Sequence, residues 1–269
     1  VTNGCITGRC AHRNPNMGQV PASYSPYGHE CRSLFYAPEG WDLIGIDAKA
    51  LELRCLAGYL ALWDDGKYAS MVINPEVDIH SYNQEQFGVA TRDISKRLLY
   101  GLLYGCGAVK AGTIINADEK DPEVLATLGR NAIDGFMRGV PALKKLKQKI
   151  EETIGTRGYL IGLDGRTLHC RSAFKGLNVL LQSSGAIIMK QVVVNIHKNI
   201  EQNLSLSHGK EWEQMLMVHD EVQIACKPEH TEQIREQALQ AFPQAGELFG
   251  FKCKIEGDSR VGKTWADTH

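Results

Sequence analysis

Apolar and polar positions alternate along this chain in two rhythms, and several changes of rhythm fall on charged residues. Residues 41–46, WDLIGI, form a short apolar run of strand length. From Leu51 the apolar positions recur at helical spacing, in a run that ends near Asp64-Asp65-Gly66. Asp47 therefore stands where a strand ends and a helix is about to begin. Residues 78–87 and 91–104 predict two further helices. The stretch 122–155 predicts more helix, broken near Gly139-Val140-Pro141 because proline cannot continue the backbone ladder. GYLIGLDGRTLHCR predicts a hairpin turning at Asp164-Gly165. A long helix follows over 176–202. A second hairpin has arms 215–218 and 222–226 and His219-Asp220 near its tip, followed by a helix over 229–242 and a closing strand and coil. Residues 1–30, rich in Gly, Pro, Asn and Ser, predict extended and turn structure held against another surface. Helix and strand are mixed without regular βαβ alternation, which predicts an α+β fold.

The second hairpin sets a problem. In MLMVHDEVQI, His219, Asp220 and Glu221 stand consecutively inside an apolar run, and burying such groups without partners is costly. Asp47, in IGIDAKALELR, likewise closes an apolar run. If the two strands are neighbours in one sheet, their carboxylates converge, and converging carboxylates repel unless a divalent cation lies between them. Two hard cations ~3.5–4 Å apart, held by aspartates, are the apparatus of in-line phosphoryl transfer. The blander reading is an exposed hairpin tip that carries polar residues.

Two helices add polar stripes. In TRDISKRLLYGLLYG, Arg92, Lys96, Tyr100 and Tyr104 recur every four residues. Each such step drifts by ~40° at 3.6 residues per turn, so the four share one stripe. Two cations followed by two aromatics suit a triphosphate at one end and a stacked base at the other; the alternative is an amphipathic helix with a solvated basic end. Asn178 and Gln182, at i and i+4 in GLNVLLQSSG, share a face. Two amides there suit the minor-groove acceptors common to every base pair, or a buried hydrogen-bond network. The run KKLKQK at 144–149 reads as a solvated helix face.

Composition narrows the classes. With 43% hydrophobic and 23% charged residues, the 269-residue chain is long and apolar enough for a sizeable core in one or two domains. A net charge of −1 advertises no global affinity for nucleic acid, although a local basic groove can sit on a neutral protein. The eight cysteines form no C-x-x-C pair, so they predict reduced, mostly buried thiols in a cytosolic protein rather than a zinc site. No apolar run approaches the ~20 residues of a bilayer span, and no signal peptide is visible. The chain opens on Val1 rather than Met, so an upstream part is expected to have been removed or to lie outside it.

DAKALELRCLAGYL, RDISKRLLYGLLYG and VHDE resemble motifs A, B and C of the family A DNA polymerases, the DNA polymerase I family, in the right order and at sensible separations. TGRCAHRNPNMGQVP resembles the motif that precedes motif A, and GLDGR and LNVLLQSSGA look closest to the polymerases of short-tailed phages. The resemblance runs nearly end to end, and three ordered motifs together are far more specific than any one. It implies a palm with an antiparallel sheet and helices, plus helical fingers. The palm would take 1–75 with motif A and 159–269 with motif C, and the fingers 76–158 with motif B. It implies template-directed DNA synthesis in replication, with two Mg²⁺ ions (or Mn²⁺ as a substitute). Asp47, the backbone carbonyl of Ala48, and Asp220 would be the metal ligands, with Glu221 as accessory carboxylate. Arg92, Lys96 and His80 match the triphosphate-binding positions, and Lys96 would also protonate the leaving group. Tyr100 matches the residue against the incoming sugar and base, Tyr104 and Gly105 the helix end near the templating base. Glu52 matches the glutamate that excludes a 2′-hydroxyl. Arg9, Asn178, Gln182 and His219 match contacts to primer and template.

The sequence departs from many members at Ala48-Lys49-Ala50, where Tyr-Ser-Gln is common, and at Gly58, where His is common. The implied partners are primer-template DNA, deoxynucleoside triphosphates and a thumb-bearing N-terminal segment or chain, because the family normally carries a thumb, and often a 3′–5′ exonuclease, before this region. The chain is thus expected to be a fragment or one part of a split polymerase, in the cytoplasm of a bacterium or phage-infected cell and with no membrane partner. Three alternatives compete. A single-subunit RNA polymerase is opposed by Glu52 and the Tyr104-Gly105 ending. A non-catalytic nucleic-acid-binding relic is opposed by intact Asp47, Asp220, Arg92 and Lys96. A metal phosphohydrolase built on His-Asp would want further ligands on helices.

Overall fold

A computed structural model describes residues 3–269. In chain order the elements are α1 (Gly28–Ser33), β1 (Asp42–Ala48), α2 (Leu51–Asp64), α3 (Lys67–Ile73), α4 (Ile79–Phe87), α5 (Arg92–Leu103), α6 (Ala108–Ile115), α7 (Pro122–Gly139), α8 (Pro141–Arg157), β2 (Tyr159–Ile161), β3 (Thr167–His169), α9 (Gly176–Asn203), β4 (Trp212–Val218), β5 (Glu221–Cys226), α10 (Thr231–Leu248) and β6 (Gly257–Gly262). Helices and antiparallel strands are mixed, as the sequence predicts. The chain forms two compact units, Val1–Leu51 with Ser183–His269, and Glu52–Gln182.

The first unit is built on a four-stranded antiparallel sheet in the order β4-β5-β1-β6. Its central strands are the apolar runs of the sequence: every residue of β5 is buried, as are residues 43–46 of β1. Side chains alternate across a strand. Leu43, Ala225 and Val218 therefore share one face and pack with Ala37 and Trp265, while Met17 and Val20 of the N-terminal stretch lie against them. Apart from one 3-10 turn at Met17–Gln19, the described residues ahead of α1 are turns and irregular backbone, in line with their composition. Ile44, Ile46, Val222 and Ile224, on the opposite face, are fully buried. Helix α10 packs against β1 and β6. It is tied to α9 by Asn195 and Asn199, whose amides donate to the carbonyls of Ala241 and Gln237 at 3.2 and 3.0 Å.

Three stretches differ from the expected elements. Strand β4 begins at Trp212 rather than 215, carrying polar Glu213 and Gln214 on the edge of the sheet, with a register shift between Gln214 and Leu216. Helix α10 continues through Pro243, because Ala245 and Gly246 beyond it are buried; packing outweighs the lost hydrogen bond. Short helices α1, α3 and α6 add turns that the periodicity did not predict. By length and composition the segment Ala173–Asn203 could cross a bilayer, but 61% of its most apolar window is buried within the protein, as in the core helix of a globular domain.

The second unit is mostly helical. Leu98, Leu99, Leu102 and Leu103 bury one side of α5, and Phe87 stacks on Phe136 at a centroid distance of 4.1 Å. The hairpin of β2 and β3 turns through Gly162–Arg166, where Asp164 pairs with Arg166 at 2.8 Å.

Candidate active site

Strand pairing in the first unit brings the two motif aspartates to the same end of the sheet. β1 and β5 run antiparallel with Asp47 opposite Glu221, and the Ala48 amide donates to the Asp220 carbonyl at 3.0 Å. Asp47 is exposed and Asp220 half-buried. The β4–β5 hairpin closes through a two-residue loop, His219-Asp220, with His219 at φ +55°. This left-handed conformation is uncommon for a residue with a Cβ, and such backbone clusters at functional sites. A contact of 3.2 Å between His219 Nε2 and the Gly18 carbonyl accompanies it. On the other flank β6 places Asp258 directly across from Asp47, and both line a hollow of about 200 Å³ with Arg260 and His269. Asp258 was not singled out in the sequence, where it sits in an unremarkable polar strand.

Among the described residues no group of three or more His, Cys, Asp or Glu could hold a metal ion. Mg²⁺ does not need one: it binds through one or two carboxylates and fills its remaining positions with water and substrate phosphate. Asp47, Asp220 and the Ala48 carbonyl would supply an all-oxygen donor set of that kind from one end of the sheet, so the residue types present fit the ion.

Glu221 occupies a different environment from its neighbour. It is 5% exposed. Its Oε1 accepts from Trp265 Nε1 at 2.6 Å and from the Gln223 amide, and its Oε2 lies 3.0 Å from His269 Nδ1 and 3.8 Å from Arg32 Nη1. Arg32 in turn stacks over the Trp265 ring at 4.3 Å and donates through Nε to the Pro21 carbonyl at 2.9 Å. Thr268 donates to Gln223 at 2.9 Å. A Cβ at Gly45 would fall 2.5 Å from the Thr268 carbonyl, so glycine is what lets this segment approach the sheet. Burial raises the Glu221 pKa, but hydrogen bonds from His269, Gln223 and Trp265 outweigh it and hold the carboxyl below its ordinary value. Both of its oxygens are thus engaged by a buried network. Arg32, Trp265 and His269 gave no sign of this in the sequence, since nothing local links them to motif C.

Arg9 and His219 line one cavity of about 260 Å³ in the same unit, together with His12, Asn16, Gln19 and Lys190. The cavity is cation-rich and has no carboxylate in its lining, which suits a nucleic-acid backbone. His12 and Lys190 are additions to the sequence reading. Lys190 is a lone cation on an apolar stretch of α9, a weak signal by itself.

In the second unit, α5 realises the predicted stripe. Thr91 caps it by accepting from the Ile94 amide at 3.2 Å. Arg92 and Lys96 are exposed, Tyr100 is half-buried, and Tyr104 at the C-terminal end is 45% exposed. The Tyr104 hydroxyl donates to Glu52 Oε1 at 3.0 Å, so those two predicted residues meet. His80, in the first turn of α4, is half-buried. Burial, then the neighbouring charges of Arg92 and Lys96, push its pKa down. Arg92 and Lys96 therefore lie near enough for their charges to act on His80. Asn178 and Gln182 sit on α9. Asn178 lines a small hollow with Gly105, Cys106, Gly107 and Phe174, and its buried Oδ1 has no hydrogen-bond partner. That suits an acceptor awaiting a donor.

The chain matches the model of DNA polymerase family A over residues 1–267. It is 35% identical over 292 aligned residues to the DNA-directed DNA polymerases of Enterobacteria phage T3 and Escherichia phage T7, in each case over 99% of this chain. It spans 40% of the length of those two curated relatives. Among solved structures, the POL domain of Pol1 from M. smegmatis, in complex with DNA primer-template and dNTP, superimposes with a TM-score of 0.81. That likeness covers 98% of this chain and 47% of the other at 20% identity, and it shows the fold. The sequence motifs agree with the family-model match over residues 1–267, and the chain belongs to DNA polymerase family A.

Proposed function

We propose that this chain carries out template-directed DNA synthesis, adding deoxynucleotides to a primer 3′-hydroxyl in replication. The observation that carries the reading is the pairing of β1 with β5, which sets Asp47 and Asp220 at one end of a buried sheet. When bound, two Mg²⁺ ions would lower the pKa of the primer hydroxyl and screen charge on the triphosphate and the leaving pyrophosphate. Asp47, Asp220 and the Ala48 carbonyl would hold them. Arg92, Lys96 and His80 bind the outer phosphates, and Lys96 supplies a proton to the leaving oxygen. Tyr100 lies against the incoming nucleotide, and Tyr104 borders the templating base. Arg9, Asn178, Gln182 and His219 contact primer and template. Glu221 supports the sheet end from its buried network. A thumb-bearing segment or chain supplies further grip on the duplex.

The test is extension of a labelled primer by the full chain, supplemented with such a segment. Extension that follows the template and stops on chelation of divalent cations is expected; untemplated addition or none would reject the proposal.

Glu52 supports a finer prediction. Its carboxylate accepts from the Tyr104 hydroxyl, which supports a role as a wall against a ribose 2′-hydroxyl. Glu52→Ala should raise ribonucleotide use relative to deoxynucleotide use by about tenfold or more, because a steric and desolvation barrier disappears, and should slow normal synthesis. Competition between the two nucleotide types measures this; an unchanged ratio would place sugar selection elsewhere.

A further inference from the structure

Arg92 has a carboxylate partner that the polymerase motifs do not account for. Asp78 Oδ2 lies 2.5 Å from Arg92 Nε, and Oδ1 lies 3.1 Å from Nη2, a two-pronged pair. The same carboxylate caps α4: Oδ1 accepts from the His80 backbone amide at 3.1 Å, and Oδ2 accepts from Ser81 Oγ at 2.9 Å. At the other end of the His80 peptide, the carbonyl accepts from Ser95 Oγ of α5 at 3.1 Å, and Ser95 is fully buried. His80 is thus fixed through both its N–H and its C=O. Its side-chain Nδ1 is buried without a partner.

We propose that Asp78 is a positioning residue that sets the guanidinium of Arg92 and the backbone of His80 to receive a triphosphate; this rests on the assignment of those two residues to the phosphates. The geometry carries the argument. Asp78 engages the Nε–Nη2 edge of the guanidinium, and a guanidinium offers five N–H donors in a rigid fork. The Nη1 side therefore faces a phosphate in a fixed orientation. An arginine side chain left to itself must lose rotamer freedom on binding, and Asp78 removes that loss beforehand. It also places one negative charge beside Arg92, which limits the repulsion between Arg92 and Lys96 before nucleotide arrives. The pair is partly open to solvent, with side chains 54% and 42% exposed, so an incoming anion has access. Arg92 also holds the Asp78 carboxyl well below the ordinary carboxylate range, so it stays ionised at neutral pH.

Asp78→Ser separates the two duties, since serine still caps a helix but cannot hold a guanidinium by two prongs. Single-nucleotide addition of dATP opposite a templating thymine would be followed with the full chain, with its thumb-bearing segment supplied. The KM for dATP should rise roughly fivefold to tenfold, with kcat changed by less than about twofold, because an interaction made equally in ground and transition states is lost. Asp78→Asn keeps the cap and one acceptor for Arg92. It should fall between Ser and wild type, and carries the test if Asp78→Ser folds poorly by circular dichroism. In an Arg92→Ala background, Asp78→Ser should change KM by less than about twofold, since coupled residues are not additive. An unchanged KM would overturn the inference. So would a lowered KM, which would make Asp78 a competitor of the phosphates. An equal rise in both backgrounds would reduce Asp78 to a purely structural role. If Arg92→Ala alone leaves KM unchanged, the phosphate assignment falls and the inference with it; if Arg92→Ala raises KM and Asp78→Ser does not, the inference alone falls.

Discussion

Replacing Asp47 or Asp220 by alanine should lower templated nucleotide addition by at least about a thousandfold, the scale on which enzymes lose activity when preorganised charge stabilisation is removed. Asp47 lies near the end of β1 and Asp220 in the turn between β4 and β5, yet backbone pairing makes them neighbours in the fold, and in the proposed mechanism each supplies charge that the other cannot replace. Stability should barely move in Asp47→Ala. Asp47 is exposed at a strand end, and surface substitutions away from buried networks stay within about 0.5 kcal/mol. The measurement is single-turnover addition to a bound primer-template, alongside thermal melting and primer-template affinity. A variant with near-normal turnover would remove the carboxylate pair from the chemistry. A variant that lost activity together with several degrees of melting temperature would make the loss a matter of folding.

Glu221 should behave in the opposite way, although it is the next residue along from Asp220. Glu221→Ala leaves Arg32 buried without its counter-charge and strips acceptors from Trp265, Gln223 and His269. Breaking a buried pair by removing one partner costs about 3–5 kcal/mol, which in a chain of this size lowers the melting temperature by roughly 6–20 °C. The effect depends on pH with a defined sign. The folded-state pKa lies below the ordinary 4.5. The stability contributed by ionised Glu221 is therefore present in full above that ordinary value and is lost as pH falls through the folded pKa. Melting of wild type and Glu221→Gln should differ most near neutral pH and converge in acid. A constant difference across that range would show that the carboxylate charge is not what matters, and a melting temperature unchanged at pH 7 would dissolve the network.

These contrasting neighbours show what the sequence could and could not convey. The stripe of α5 was legible because a 3.6-residue period separates Leu98, Leu99, Leu102 and Leu103 from Arg92, Lys96, Tyr100 and Tyr104 by residue type alone. The hairpin tip was legible because three polar residues interrupt an apolar run. That pattern does not tell Asp220 from Glu221: one lies in a turn, the other begins a strand and is covered by Trp265 and His269, which are remote in sequence. The cation-rich cavity was half legible. Arg9 and His219 fall in recognisable motifs, while His12 and Lys190 join them only through tertiary structure. Asp78 opens the helix predicted over 78–87 and would pass as an ordinary cap. Its grip on Arg92 depends on how α4 and α5 pack, and no local pattern encodes that.

The division of the chain has a consequence for how it is born. The unit Glu52–Gln182 is a single uninterrupted stretch, built largely from helices adjacent in sequence, and local contacts form fast. The sheet is different. Ile46 pairs with Val222 on one side and Ser259 on the other, so β1 leaves the ribosome long before either neighbour exists. Throughout that interval Leu43, Ile44 and Ile46 have no ladder to join, while the stretch that follows them can already have folded. An apolar strand waiting with open edges is a template for wrong pairing. β1, the strand that carries Asp47, is therefore the strand of the sheet that waits longest for its partners in the nascent chain.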